Sequence, residues 1–263
     1  MKSGPSIFVM VDMEGISGVY CSAQVDATMP GYATARRYMT WDTNACVAGC
    51  FDGGASRVVV RDAHGGGGNM VWDEFDPRAE YIQGRTGRQR MPAIETFDAL
   101  ILLGYHAMAG TPEAVLEHTM SSKHWQNLRI NGVLSGELAI DAGLAGDAGV
   151  PMIMTSGDDK LCAEARRFIP GVEAAEVKKG LDCQGAQMLT KDAAHELLRA
   201  TAKRAVERRG EIKPYVVAKP VRLTLEVVSR GVLPVTRDGV KVIDGRTYEV
   251  TGDTMEQALQ RLL

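Results

Sequence analysis

No stretch of this 263-residue chain stays apolar for the ~20 positions that a membrane-spanning helix needs. The N-terminus, Met1 to Gly4 and then Pro5, also lacks a charged leader followed by a long apolar run. A soluble, cytoplasmic protein is expected. No long run of one charge sign occurs and the net charge is only −3, which argues against nucleic acid and membrane as partners. Cysteine is sparse: Cys21, Cys46, Cys50, Cys162 and Cys183 are odd in number and show no C-x-x-C spacing, as for reduced thiols in a cytosol. Cys46 and Cys50, four apart on an expected helix, read better as small buried hydrophobes than as a two-thiolate metal site. The glycine run at 65–68 lacks the Lys-Ser/Thr of a phosphate-cradling loop. Histidine numbers only five, and four of them fall between His64 and His124.

What is present is ordinary globular material, 45% hydrophobic and 24% charged. Short apolar, β-branched runs at 7–11, 58–60, 99–103 and 152–155 alternate with helical patterns at 34–52 and 136–148. This alternation predicts an α/β fold, a three-layer arrangement with a mostly parallel sheet flanked by helices. After about residue 178 the pattern changes to a charged helix at 191–209, strands at 221–228 and 241–250 with a turn at Gly245, and a helix at 254–263. The expected division is therefore an α/β domain over 1–177 that carries the chemistry and a smaller α+β C-terminal part over 178–263.

Three of the four strands run into ionisable residues: Asp12-Met13-Glu14-Gly15, Asp62-Ala63-His64 and Gly104-Tyr105-His106. The carboxyl ends of parallel strands open on one edge of a sheet, so Asp12, Glu14, His64 and His106 should converge there. Each alone has a plain reading, as a helix cap, a turn residue, a loop residue and a satisfied core histidine. Together they would be costly to bury unpaired, and a cation resolves that cost. Mixed imidazole and carboxylate ligation suits Zn²⁺, with Mn²⁺ or Co²⁺ as substitutes, over Ca²⁺ or Mg²⁺. Glu137 opens a helix of small residues that can approach the sheet closely, with Asp141 one turn on; a helix-dipole role for Glu137 stays open.

In order, Val11-Asp12-Met13-Glu14-Gly15-Ile16-Ser17-Gly18, Asp62-Ala63-His64, Gly104-Tyr105-His106-Ala107, Glu117-His118-Thr119-Met120 and Gly136-Glu137-Leu138 resemble the D-aminopeptidase family of metallopeptidases. The likeness runs from Ile7 to about Asp159 and includes Gly157-Asp158-Asp159 as a turn. It implies two zinc ions per subunit, held by Asp12, Glu14, His64, His106 and Glu137, and it makes His118 the match for the family's catalytic histidine. It also implies a homo-oligomer acting on small peptides; the family's ring-like decamer encloses its active sites, and no residue pattern here fixes the number. Met10 stands where the family usually has a small Ser.

Three carboxylates against two Zn²⁺ leave one net positive charge, so a hydroxide can form at neutral pH and attack an amide that one ion polarises. The expected activity is hydrolysis of short D-amino-acid peptides such as D-Ala-D-Ala, with Asp12 bridging the ions and His118 as general acid or base. D-stereochemistry follows from the resemblance alone. A two-metal phosphoesterase is the alternative within hydrolases, but the Asp-x-His follows the second strand, no Gly-Asn-His follows, and only Arg61 lies near the ligands in sequence to clamp a phosphate. A non-catalytic oligomeric protein with a structural metal is the other alternative; such sites are closed and usually rich in cysteine. His124 and His195 carry no comparable argument and read as structural or surface residues.

Overall fold

The computed structural model describes residues 4–231, 233–234 and 238–263. Its first sheet has seven strands. In chain order these are β1 (Ser6–Val11), β2 (Arg57–Asp62), β3 (Glu80–Ile82), β4 (Ala99–Leu103), β7 (Met152–Asp158), β8 (Glu173–Asp182) and β9 (Gly185–Met188), with β5 (Trp125–Ile130) and β6 (Val133–Ser135) lying in a second sheet. The spatial order is β3-β2-β1-β4-β7-β8-β9, parallel throughout except for β9. β4 and β7 are buried along their whole length, as strands covered on both faces must be.

Helix α1 (Tyr32–Asp52) returns the chain from β1 to β2. It packs against α4 (Lys191–Arg208), and both contact the large sheet. Gly49 and Ala202 lie at that crossing, where a side chain in place of Gly49 would strike the Arg199 carbonyl. Helices α2 (Glu137–Asp147) and α3 (Asp159–Phe168) cover β4, β7 and β8. The Gly157-Asp158-Asp159 segment is the end of β7 and the start of α3 rather than a free turn, because the Asp158 carboxylate caps the helix by accepting the Leu161 N–H at 2.8 Å.

The second sheet is antiparallel, with the order β11-β12-β10-β5-β6, and contains β10 (Val221–Val227), β11 (Val240–Val242) and β12 (Thr247–Gly252). β10 alternates buried and accessible residues, the signature of a sheet with one covered face. That face packs on Ala139 and Ile140 of α2 and on α5 (Met255–Leu262). β5 and β6, which precede α2 in the chain, join this sheet, while β8 of the large sheet runs across position 177. Met10 is completely buried in β1, so its longer side chain is absorbed by the core.

The strand order places a topological switch between β1 and β4: from β1 the chain moves outward to β2 and β3, then crosses to β4 and moves the other way. A crevice opens at the carboxyl ends of such a strand pair. The two loops that leave it are bonded to each other, Asp12 N–H to the Leu103 carbonyl at 2.9 Å and Gly15 N–H to the Gly104 carbonyl at 2.7 Å. A Cβ at Gly15 would collide with the Tyr105 carbonyl, so only glycine allows this approach.

Candidate metal centre

Asp12 and Glu14 follow β1, His64 follows β2, His106 follows β4, and Glu137 is the first residue of α2. His118 comes from the long loop between β4 and β5. All six meet in the crevice. Among the described residues two groups of three have donor atoms within 4.8 Å of one another: Asp12, Glu14 and His64, and His106, His118 and Glu137. The groups join through His106 Nε2, 3.4 Å from Asp12 Oδ2 and 3.3 Å from Glu137 Oε1. On the other side, His64 Nδ1 is 3.2 Å from Asp12 Oδ1 and 3.3 Å from Glu14 Oε2. The His118 ring stacks on His106 at 3.9 Å between centroids, with Nε2 3.7 Å from Glu137 Oε1.

Each imidazole is aimed by a backbone carbonyl. His64 Nε2 lies 3.1 Å from the Val25 oxygen, His106 Nδ1 3.0 Å from that of Ala107, and His118 Nδ1 2.9 Å from that of Leu116. With one ring nitrogen of each held at its carbonyl, the other is turned toward the carboxylates. This is how metal-binding histidines are held.

The electrostatics ask for positive charge. Burial works to raise Asp12, but the adjacent imidazoles of His106 and His64 overcome it and hold the carboxyl well below its usual range. Glu137, likewise opposed by burial, is pulled down to about 2 by His106. In turn burial depresses His64 while the Glu14 and Asp12 charges more than compensate, holding it at about 12. Glu14 Oε2 and His106 Nε2 are buried with no hydrogen-bond partner among the described residues. Three buried carboxylates, three aimed imidazole nitrogens and two unsatisfied donor atoms fit a pair of divalent cations with nitrogen and oxygen preference.

Asp141 takes no part in either donor group. It binds Arg90, at 2.5 Å to Nε and 2.9 Å to Nη2, and accepts the Tyr105 hydroxyl at 2.7 Å. Arg90 also reaches Glu137 Oε2 at 3.3 Å. Lys178, wholly inside the protein, donates to the carbonyls of Glu14, Ile16 and Val19 at 2.6, 3.0 and 2.6 Å and so fixes the loop that carries Asp12 and Glu14. Neither Arg90 nor Lys178 is flagged by any local pattern. His195 pairs with the buried Asp42 at 3.3 Å, away from the donors, in a structural setting.

The sequence model of the peptidase M55 family, D-aminopeptidase, matches residues 6–263. The chain belongs to the D-aminopeptidase family. It is 33% identical over 229 residues to the D-aminopeptidase of Bacillus subtilis strain 168, covering 86% of this chain and 82% of the relative. Among solved structures it is similar to the Zn-dependent D-aminopeptidase DppA from Bacillus subtilis, a self-compartmentalizing protease, with a TM-score of 0.92 and 30% identity. That likeness covers 98% of this chain and 95% of the other, so the D-aminopeptidase fold extends through the C-terminal α+β part as well as the segment that carries the donors.

Proposed function

We propose that the chain is a zinc-dependent aminopeptidase that hydrolyses short D-amino-acid peptides such as D-Ala-D-Ala. The observation that carries this reading is the joining of two three-residue donor groups through Asp12 and His106, 3.4 Å apart, at the switch point of the sheet. Asp12, Glu14 and His64 would hold one ion, and His106 and Glu137 the second. Asp12, whose two oxygens face His64 and His106 separately, would be a ligand to both. Zinc bound there supplies Lewis acidity toward a carbonyl and a lowered pKa for water.

The protein's own residues do the rest. The carbonyls of Val25 and Ala107 keep His64 and His106 pointing at the carboxylates, and Lys178 keeps the Asp12–Glu14 loop in place. His118, its Nδ1 held at the Leu116 carbonyl and its Nε2 3.7 Å from Glu137, would carry a proton to or from the reacting amide as general acid or base. A carboxylate of the cluster receives the free α-amino group of the substrate. The preference for D-residues rests on family membership. From the self-compartmentalizing relative we infer a homo-oligomer, and five free thiols suit a reducing cytoplasm.

The deciding experiment is release of D-alanine from D-Ala-D-Ala by the zinc-loaded protein, with L-Ala-L-Ala and p-nitrophenyl phosphate as controls. Turnover of the D-dipeptide with neither control is expected. Turnover of the phosphate ester alone would replace this reading with the phosphoesterase. Metal analysis should give up to two zinc per chain, and a metal-free protein with full activity would remove the centre from the mechanism.

A further inference from the structure

A cavity of about 580 Å³ opens directly beside the donors. None of the six donors lines it, but its lining adjoins them: Gly65 follows His64, the Met120 N–H binds Glu137 at 2.7 Å, and Arg90 touches Glu137. Only Arg61 lies close to the donors in sequence, but the fold adds Arg85, Arg88 and Arg90 to the same lining. Of these, Arg90 is committed to Asp141 and Glu137. Arg61 is not. Its Nη2 donates to the Thr86 hydroxyl at 2.9 Å, while Nε and Nη1 are buried without a partner. Arg85 and Arg88 form no ion pair among the described residues.

The acids nearby do not answer this charge. Asp62 is taken up by the Asn69 and Met70 backbone N–H groups and the Asn69 side chain, which leaves Glu256 of α5 as the other carboxylate side chain on the wall. A guanidinium with two unpartnered buried donors is costly in a folded protein, and an anion in the cavity that Arg61 lines would offset its charge. Burial and the neighbouring Arg90 charge press Arg61 below its ordinary pKa, against the smaller opposing pull of Asp141 and Asp62.

We propose that Arg61, supported by Arg85 and Arg88, is the subsite for the free C-terminal carboxylate of a short peptide whose scissile amide lies at the metal centre. This rests on the aminopeptidase reading and deepens it, naming what sets substrate length. One end of the peptide is fixed by its amino group at the carboxylate cluster and the other by its carboxylate at Arg61. Each added residue lengthens the chain by up to about 3.6 Å, so only peptides of a few residues satisfy both ends. Long peptides and C-terminally blocked ones lose the second anchor.

The test compares D-Ala-D-Ala with D-alanyl-D-alaninamide, which has the same scissile bond and no carboxylate. With the zinc-loaded wild-type protein, kcat/KM for the acid should exceed that for the amide roughly 10- to 100-fold, the usual worth of a charge-assisted pair. Arg61→Gln should bring that ratio to about one, Arg61→Lys should leave it intermediate because an ammonium lacks the fork, and Arg88→Gln should lower it less. Equal rates on acid and amide in the wild type overturn the subsite and leave the peptidase intact. A ratio unchanged by Arg61→Gln also overturns it. No hydrolysis of either compound by the wild type overturns the peptidase reading, and the subsite with it. The wild-type comparison needs no variant to fold; for the variants, zinc content and the thermal midpoint establish that the site is intact.

Discussion

Replacing Glu164 with Gln removes a charge that the fold buries and only half satisfies. Glu164 lies in α3 and is 7% exposed. Its Oε2 accepts the Met108 N–H at 2.9 Å, while Oε1 is buried with no hydrogen-bond partner among the described residues. Burial pushes this carboxyl up to about 7 from an ordinary 4.5, against the smaller opposing pull of the Met108 hydrogen bond. Below pH 4.5 the group is protonated in both the folded and unfolded chain and contributes nothing to pH dependence. Between 4.5 and 7 the folded chain holds a proton that the unfolded chain has released, so stability falls as pH rises. Above 7 both are ionised, and the loss is complete at about 3 kcal/mol, from 2.5 pH units at about 1.4 kcal/mol each.

Gln has the same shape, can accept the Met108 N–H through its amide oxygen, and does not ionise. The gain in stability of Glu164→Gln over wild type should therefore be small near pH 4.5 and grow to about 3 kcal/mol by pH 8. Urea unfolding at fixed protein and zinc concentration, at four or more values between pH 5 and 8.5, measures this as a difference in which other titrating groups cancel. A difference that does not change with pH refutes the argument. A variant that is more stable but slower would show that this acid is kept for the Met108 segment, two residues beyond His106.

Removing zinc with a chelator should lower the thermal midpoint by about 10 °C if the metal is present at about a thousand times its dissociation constant; calorimetry before and after zinc is restored checks this. Lys178→Met leaves the buried carbonyls of Glu14 and Val19 without a donor and that of Ile16 with the Val19 N–H alone, and should cost about 3 kcal/mol or more of stability and about tenfold or more in zinc affinity, read by competition with a coloured chelator. Arg90→Met strands the Asp141 carboxylate, which is 0% exposed, and should destabilise by about 3–5 kcal/mol, whereas Arg90→Met with Asp141→Asn recovers part of that loss in urea unfolding. His118→Ala should retain zinc while losing about 100-fold or more in turnover, and full turnover would remove the proton-transfer role.

The large sheet was legible because its central strands are apolar for nearly their whole length, and residues 99–103 admit hardly any other reading. The strands that escaped are of a different kind. β5, Trp-Gln-Asn-Leu-Arg-Ile, is half polar, β3 and β6 are three residues each, and β8 carries Lys178 and Lys179 in its middle. Such segments become strands through the neighbours they pair with, which local pattern does not encode. Helix α3 buries only three small or apolar side chains, Leu161, Cys162 and Ala165, among its charges, and it is its Asp158 cap that marks where it starts. The expected helix at 136–148 and the observed Glu137–Asp147 differ by the two capping residues, Gly136 and Ala148, alone.

For the site, strand direction alone brings Asp12, Glu14, His64 and His106 to one crevice, because the end of a parallel strand is a place that chain order can specify. Glu137 is one of two open readings of its small-residue helix, and His118 rests on the family pattern, the first being set by a helix that follows the other sheet and the second by a loop. Arg90 and Lys178 could not be found either way. Arg90 binds an acid 51 residues later, and Lys178 binds carbonyls some 160 residues earlier. Backbone carbonyls are the same at every position, so no residue type announces them as acceptors.

Those carbonyls nevertheless determine what the imidazoles can do. A histidine faces a cation only if its other nitrogen is held, and here the holders are Val25, Ala107 and Leu116, none of which carries reactive chemistry in its side chain. The Leu116 backbone lies in the left-handed region at φ 51°, and its N–H is bonded to the Cys183 carbonyl at 2.9 Å, between β8 and β9. His118 is thus aimed by a loop that the far edge of the large sheet holds in place. Leu116→Gly, which relaxes that conformation without touching the imidazole, should keep zinc bound and lower kcat more than it raises KM. Single-turnover measurements with D-Ala-D-Ala separate these effects. If the variant instead keeps kcat and loses zinc, His118 serves to hold the metal, and its place in proton transfer falls.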